Sequence, residues 1–251
     1  MHLLSGIRYV WEAIHFLGMD ESDKWRQCRI GHATALGIEP QFWADKLDGV
    51  IVMSKGEWLD SMIFIQFFYS TSKYFYAIER LWKEIYGISF KRLKALEAYE
   101  NRRENPYECE DEIVKLYNSP EVVEKYNEMI EVSIDKRDIE IMTQLQRKVL
   151  KLMKDNKIAI ESMITSNVRI SYYDKYEQHH IYRWLFPEGA EEDIMPPIVL
   201  ASDDPGLFNN NMRIEFSHLY EILKKKKISE SDIEEKINEL QKNADNYTFR
   251  R

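Results

Sequence analysis

Three short strand-like runs, far apart in the chain and separated by helical stretches, each stop on a polar group. No other feature constrains the fold as much. Arg29-Ile30-Gly31 stops at His32. Ile158-Ala159-Ile160-Glu161-Ser162 runs into Thr165-Ser166-Asn167. Pro196-Pro197-Ile198-Val199-Leu200-Ala201 ends on Ser202-Asp203-Asp204-Pro205-Gly206. Runs of this length and type read as buried strands. Strands alternating with helices pair in parallel, so the expected class is α/β, and in a βα barrel the chemistry collects at the C-terminal ends of the strands.

Around these runs the chain reads as three segments. Residues 1–49 begin with a helix, because Leu3, Leu4, Ile7, Val10, Trp11, Ile14 and Leu17 recur at helical spacing and Gly18 can stop the run. No capping residue or lead-in precedes that helix, a hint that the sequence is truncated. Residues 50–155 read as a large helical insertion, with a run of big apolar side chains from Trp58 to Tyr76 and amphipathic stretches at Phe90–Tyr99, Pro120–Val132 and Asp135–Asp155. Pro106 and Asn118-Ser119-Pro120 mark breaks. Residues 156–251 hold the last two strands, then helices from about Asn210 to Lys226 and from Ser231 to Ala244.

Composition narrows the function classes. A formal net charge of −8 repels phosphate backbones and disfavours broad nucleic-acid binding. The two cysteines, Cys28 and Cys109, make no disulfide framework and fit a reducing cytoplasm. The start lacks a signal peptide, and no segment approaches the roughly 20 apolar residues of a membrane span. A cytoplasmic protein with no membrane partner is expected. Lys224-Lys225-Lys226-Lys227 closes a helix, where cations suit the dipole.

Asp203 and Asp204 admit two readings. Asp-Asp-Pro-Gly is a good turn and helix cap. Adjacent carboxylates at a strand end also suit a site in which one binds a metal and the other faces a substrate, since paired like charges need a cation or donor to meet them. His32 likewise admits a structural reading and a catalytic one. Its neighbour Gly31 permits close approach of the backbone.

These residues carry a resemblance to the adenosine deaminase family of metal-dependent amidohydrolases. Arg29-Ile30-Gly31-His32 is similar to that family's arginine-isoleucine-glycine-histidine segment. Thr165-Ser166-Asn167 resembles the threonine-serine-asparagine after its next strand. His179 and Ile181 resemble a following histidine-proline-isoleucine, with His180 in place of the proline. Val199 to Phe208 resembles the last-strand motif, and Met212 to Phe216 matches the apolar-x-x-Glu-aromatic pattern of the next helix. The motifs stand in the family's order over residues 3–48 and about 156–223. The insertion more loosely resembles those in the large deaminase subunits of bacterial phage-defence systems.

The resemblance implies the C-terminal part of a (β/α)8 TIM-like barrel, about three parallel strands of it, carrying a large helical insertion. It implies a zinc-dependent hydrolytic deamination of adenosine or a related adenine nucleoside or nucleotide. Asp203 would be a ligand of one zinc ion. Asp204 would hydrogen-bond the purine ring, Ser166 and Asn167 would shape the surrounding loop, and His32 would orient and help deprotonate the metal-bound water. His179 is a structural candidate. The family's His-x-His and His-x-x-Glu elements are absent from the sequence, and a catalytic zinc needs three or more protein ligands. An N-terminal half or a homo-oligomer would therefore complete the site. The competing expectations are a non-catalytic purine-binding or assembly subunit, and a helical interaction protein using the strands only as scaffold. Convergence of His32 and Asp203 in space separates the deaminase readings from the last.

Overall fold

The computed structural model describes residues 2–19, 28–69, 73–89, 112–187 and 193–248. In chain order the first elements are α1 (Leu3–Phe16), β1 (Arg29–Gly31), α2 (Thr34–Gly37) and α3 (Pro40–Asp45). Then come β2 (Val50–Ser54), α4 (Lys55–Phe68), α5 (Phe75–Tyr86), α6 (Glu112–Tyr117), α7 (Pro120–Asn127) and β3 (Met129–Ser133). The last group is α8 (Lys136–Asp155), β4 (Ala159–Ser162), α9 (Ile164–Ile170), α10 (Ile181–Leu185), β5 (Ile198–Leu200), α11 (Pro205–Phe208), α12 (Met212–Lys225) and α13 (Glu230–Asn246). They fall into two compact units: Leu3–Gly49 with Asp135–Arg251, and Val50–Ile134.

The first unit is α/β and is built on a three-stranded parallel sheet in the order β1-β4-β5. Ile30 pairs with Ile160, and Ile160 with Ile198, so β4 is central. Its Ala159, Ile160 and Ser162 are buried, as a strand covered on both faces requires. One face is covered at Ala159 and Val199 by Tyr247 and Ala244, at the C-terminal end of α13. Asn243 of the same helix donates from Nδ2 to the Ile198 carbonyl at 3.0 Å.

Helix α8 leads into β4. A reciprocal capping box between Asp135 and Asp138 starts it, and Met142, Leu145, Val149 and Met153 form its buried stripe. It packs on α1, α2 and α3, whose Leu3, Ile7, Leu36 and Trp43 are buried. The buried Gln146 donates from Nε2 to the carbonyls of Ala35 and Ile38, so a polar side chain satisfies the backbone where α2 ends. The periodicity that groups 135–155 with the insertion is correct for the helix. Its packing partners place it with the sheet.

The second unit is not purely helical, contrary to the expectation for 50–155. β2 and β3 pair antiparallel in full register, Val50 with Ser133 and Ser54 with Met129. Ile51, Met53 and Val132 alternate inward. Glu128 ends α7, and the period-two pattern Ile130-Glu131-Val132 takes over where the sequence suggests one amphipathic helix to Val132. Helix α4 packs on β2, and α5 and α7 pack on α4 and on each other: Ser54 Oγ caps α4, and the Tyr126 ring lies over Gly56. The stretch 90–99, Pro106 and Cys109 lie outside the described residues. Among the described residues no helix is long and apolar enough to cross a membrane.

Gly37 shows how tightly the first unit is packed near β1. A Cβ there would penetrate the His180 ring and come within 2.7 Å of the Trp184 ring, while the Gly37 carbonyl accepts from Arg183 Nη1 at 2.9 Å. Gly37→Ala is expected to lower unfolding stability by about 1–3 kcal/mol, through overpacking, in urea titrations. An unchanged midpoint would show that His180 does not sit against this turn.

Candidate functional site

Parallel pairing places the C-terminal ends of β1, β4 and β5 along one edge of the sheet, so His32, the first turn of α9, and Asp203 come together. The backbone contributes as well. His32, Ala33 and Asp203 adopt left-handed conformations, with φ of 60°, 44° and 59°. Asp and His tolerate that region better than most side chains, and such residues concentrate at functional sites. Gly31 is not a close-approach glycine, because a Cβ there would meet Met163 at 3.7 Å, an ordinary contact.

His32 Nε2 lies 3.6 Å from Asp203 Oδ2, with about a third of each side chain exposed. On the other side of the ring, His32 Nδ1 lies 2.8 Å from the Oδ1 atom of the Asn167 side-chain amide. Thr34 Oγ1 is 3.4 Å from that same amide atom, and the other end of the amide is 3.2 Å from His179 Nε2. The chain of contacts ends on the backbone, where the Ile181 N–H donates to His179 Nδ1 at 3.1 Å. Asn167 and His179 are both buried. Burial lowers His179 to about 3 from its ordinary value of 6.5. His180 falls well below that ordinary value through burial, with the neighbouring His179 and Arg183 adding to the shift. Both rings are neutral in the fold.

A second buried network holds the β4 and β5 ends. Glu215 on α12 is fully buried and accepts from the Thr165 N–H at 3.2 Å and from Asn210 Nδ2 at 2.7 Å. Asn210 Nδ2 also donates to the Ser202 carbonyl at 2.9 Å, one residue before Asp203. One carboxylate thus joins the helix after β4 to the turn after β5.

The expected site residues separate into groups. His32, Asn167 and Asp203 converge. Thr165, Ser166 and Asn167 form the first turn of a helix rather than a loop, and Ser166 points inward, donating to the Met163 carbonyl. Asp204 takes the capping role: its Oδ1 accepts from the Leu207 N–H at 3.0 Å, while the residue is exposed. His179 is the inner support of the His32 chain. Sequence reasoning missed Glu215, Asn210 and Thr34 as site-building residues. The signal for Glu215 was present in the apolar-x-x-Glu-aromatic pattern of Met212 to Phe216, which gave it no role, and in its place on a helix face beside Leu219 and Ile222.

Two cavities meet this edge. One, of about 490 Å³, is lined by His32, Thr34, Trp43, Ile170 and Tyr172 and is mainly apolar. The other, of about 510 Å³, is lined by Arg29, Glu161, Met163, Asp203 and Met212. In it, Arg29 pairs with Glu161 at 3.2 Å and donates from Nε to the Tyr247 carbonyl at 2.8 Å. An imidazole and a carboxylate 3.6 Å apart can both contact one polar atom seated beside them, with an apolar wall on one side. Among the described residues no three of His, Cys, Asp or Glu are grouped to hold a metal ion. The pair falls short of the three ligands a catalytic zinc takes, so the described residues do not fit a complete zinc site. No protein-family model matches the chain.

The buried His179 ring makes stability depend on pH with a definite sign. The unfolded chain binds its proton near 6.5, the folded chain only near 3. The contribution to stability is therefore full above about pH 6.5 and is lost as pH falls from there toward 3. Urea midpoints are expected to fall over that window, and His179→Gln to start lower but fall less steeply. Equal slopes for the two proteins would contradict a neutral, buried His179.

Proposed function

We propose that this chain carries the C-terminal, substrate-side corner of a purine deaminase-like hydrolase, of the adenosine deaminase type. In this reading β1, β4 and β5 are consecutive strands of a (β/α)8 barrel. The observation that carries it is the 3.6 Å approach of His32 Nε2 to Asp203 Oδ2 across two strand ends separated by 171 residues of chain, with Asn167, from the helix that follows the strand between them, holding the ring. Ordered motifs in a sequence need not converge. Here they do, at the strand ends where barrel enzymes place their chemistry.

In this reading His32 and Asp203 flank the oxygen that attacks the amino-bearing ring carbon of an adenine nucleoside or nucleotide. The apolar cavity beside His32, with Trp43 and Tyr172, receives the base. Asp204 keeps one exposed carboxylate oxygen for a ring nitrogen while the other caps α11. Asp203 would serve as one zinc ligand, and the further ligands would come from polypeptide beyond the described residues, either another segment or another copy. The setting would be the cytoplasm.

The test uses the complete assembly, with Asp203→Asn as the variant. Asparagine tolerates the left-handed backbone at this position, so the substitution removes the charge without adding strain. Adenosine turnover is expected to fall at least about 100-fold, the scale on which loss of a single charge-stabilising group registers. Full activity in that variant would end the assignment. A second reading, a purine-binding or assembly subunit without catalysis, is favoured by the two-donor set. Metal analysis separates the two: an assembly that binds purine but holds no stoichiometric zinc and shows no turnover is that subunit.

A further inference from the structure

We infer that Asn167 is a positioning residue that makes His32 a hydrogen-bond donor at Nε2, because the protons of the network require its amide to be exchanged end for end from the placement with Oδ1 toward His32 and Nδ2 toward His179. The argument starts from the one donor in the chain whose direction is fixed. A backbone N–H can only donate, so the Ile181 N–H bond requires a lone pair on His179 Nδ1. A neutral imidazole with a lone pair on Nδ1 carries its proton on Nε2. That Nε2–H faces the Asn167 amide at 3.2 Å and needs an acceptor there, which is the amide carbonyl. With the exchange, the NH2 takes the place of Oδ1, which lies 2.8 Å from His32 Nδ1 and 3.4 Å from the Thr34 hydroxyl oxygen, and both can accept. His32 Nδ1 is therefore the lone-pair nitrogen, and the proton sits on Nε2, facing Asp203 Oδ2 at 3.6 Å.

The opposite amide orientation fails on a count of protons. It would point an N–H of Asn167 at His179 Nε2 while the Ile181 N–H points at Nδ1, which leaves the ring no nitrogen for its proton. Oxygen and nitrogen of a side-chain amide are assigned from such networks, and here the backbone decides. Burial, which keeps His179 neutral, supports the same assignment.

The consequence reverses the familiar arrangement in which a carboxylate on Nδ1–H leaves Nε2 free to act as a base. Here the resting His32 gives a hydrogen bond to an oxygen seated beside it and Asp203. It stabilises negative charge there instead of taking a proton. This functional part rests on the deaminase reading; the tautomer does not.

The test is long-range proton–nitrogen correlation NMR of the ¹⁵N-histidine-labelled full chain at mildly alkaline pH, with the rings assigned through single His→Gln variants. The expected result is the Nε2–H pattern for both His179 and His32. A Nδ1–H pattern for either ring overturns the inference. Asn167→Asp offers acceptors on both sides, so it is expected to switch His32 to the Nδ1–H pattern and leave His179 unchanged. An unswitched His32 in a folded variant also overturns the inference, and if the variant does not fold, the wild-type spectrum alone decides. The two proposals fail separately. Full activity of Asp203→Asn removes the deaminase reading and leaves the tautomer standing, whereas a Nδ1–H His32 in a protein inactivated by Asp203→Asn removes only the positioning role.

Discussion

A carboxylate with no solvent exposure organises the chemical edge of this protein. Glu215 would be costly to bury without donors, since each unmet charge or polar group loses its hydration. It receives them from beyond the ends of two different strands: the Thr165 N–H, just after β4, and Asn210, which also grips the Ser202 carbonyl after β5. The parallel ladder sets the strands side by side. Glu215 sets what happens beyond their ends, where ladder hydrogen bonds stop and the chain would otherwise choose its own turn.

The first turn of α9 is the hub through which that constraint passes. Thr165 faces Glu215 by its backbone, Ser166 closes on the Met163 carbonyl, and Asn167 reaches both His32 and His179. Three consecutive residues thus serve the β5 side, the helix itself and the β1 side. The left-handed backbone at His32 and at Asp203 then turns each side chain off its strand end toward the other. Neither side chain is rigidly buried, and both remain open to a cavity, while the supports behind them are closed to water. That division between a partly open pair and a dry scaffold is what an active-site corner requires.

Much of this was legible in the sequence, for identifiable reasons. An apolar run stopped by a polar residue marks a strand end, and three such ends in an alternating chain place His32, Asn167 and Asp203 on one edge. The same patterns could not reveal that Thr165–Asn167 is helical, because a three-residue polar stretch after a strand has no periodicity of its own. They could not assign Asp204 between cap and ligand, since both uses want the same side chain at the same position. The β2–β3 pair was hidden because its strands lie far apart in the chain, and short β-branched runs beside helical patterns carry little signal of their own. The placement of α8 depended on which surface covers its stripe, and that is a tertiary choice. His179 looked like a minor structural residue; its importance comes from a backbone donor two residues along, which no spacing rule announces.

Glu215 can be interrogated without reference to any substrate. Site-resolved amide exchange in wild type and Glu215→Ala reads the two places it joins. The account predicts much faster exchange at Thr165, which loses its acceptor, and at Ala201, whose N–H donates to the Ser162 carbonyl at 2.9 Å beside the turn that Asn210 holds. Amides of α1 and the middle of α8 should keep their protection. Unchanged protection at Thr165 and Ala201 would contradict the claim that one buried carboxylate fixes the ends of β4 and β5, and with it the arrangement of His32 and Asp203.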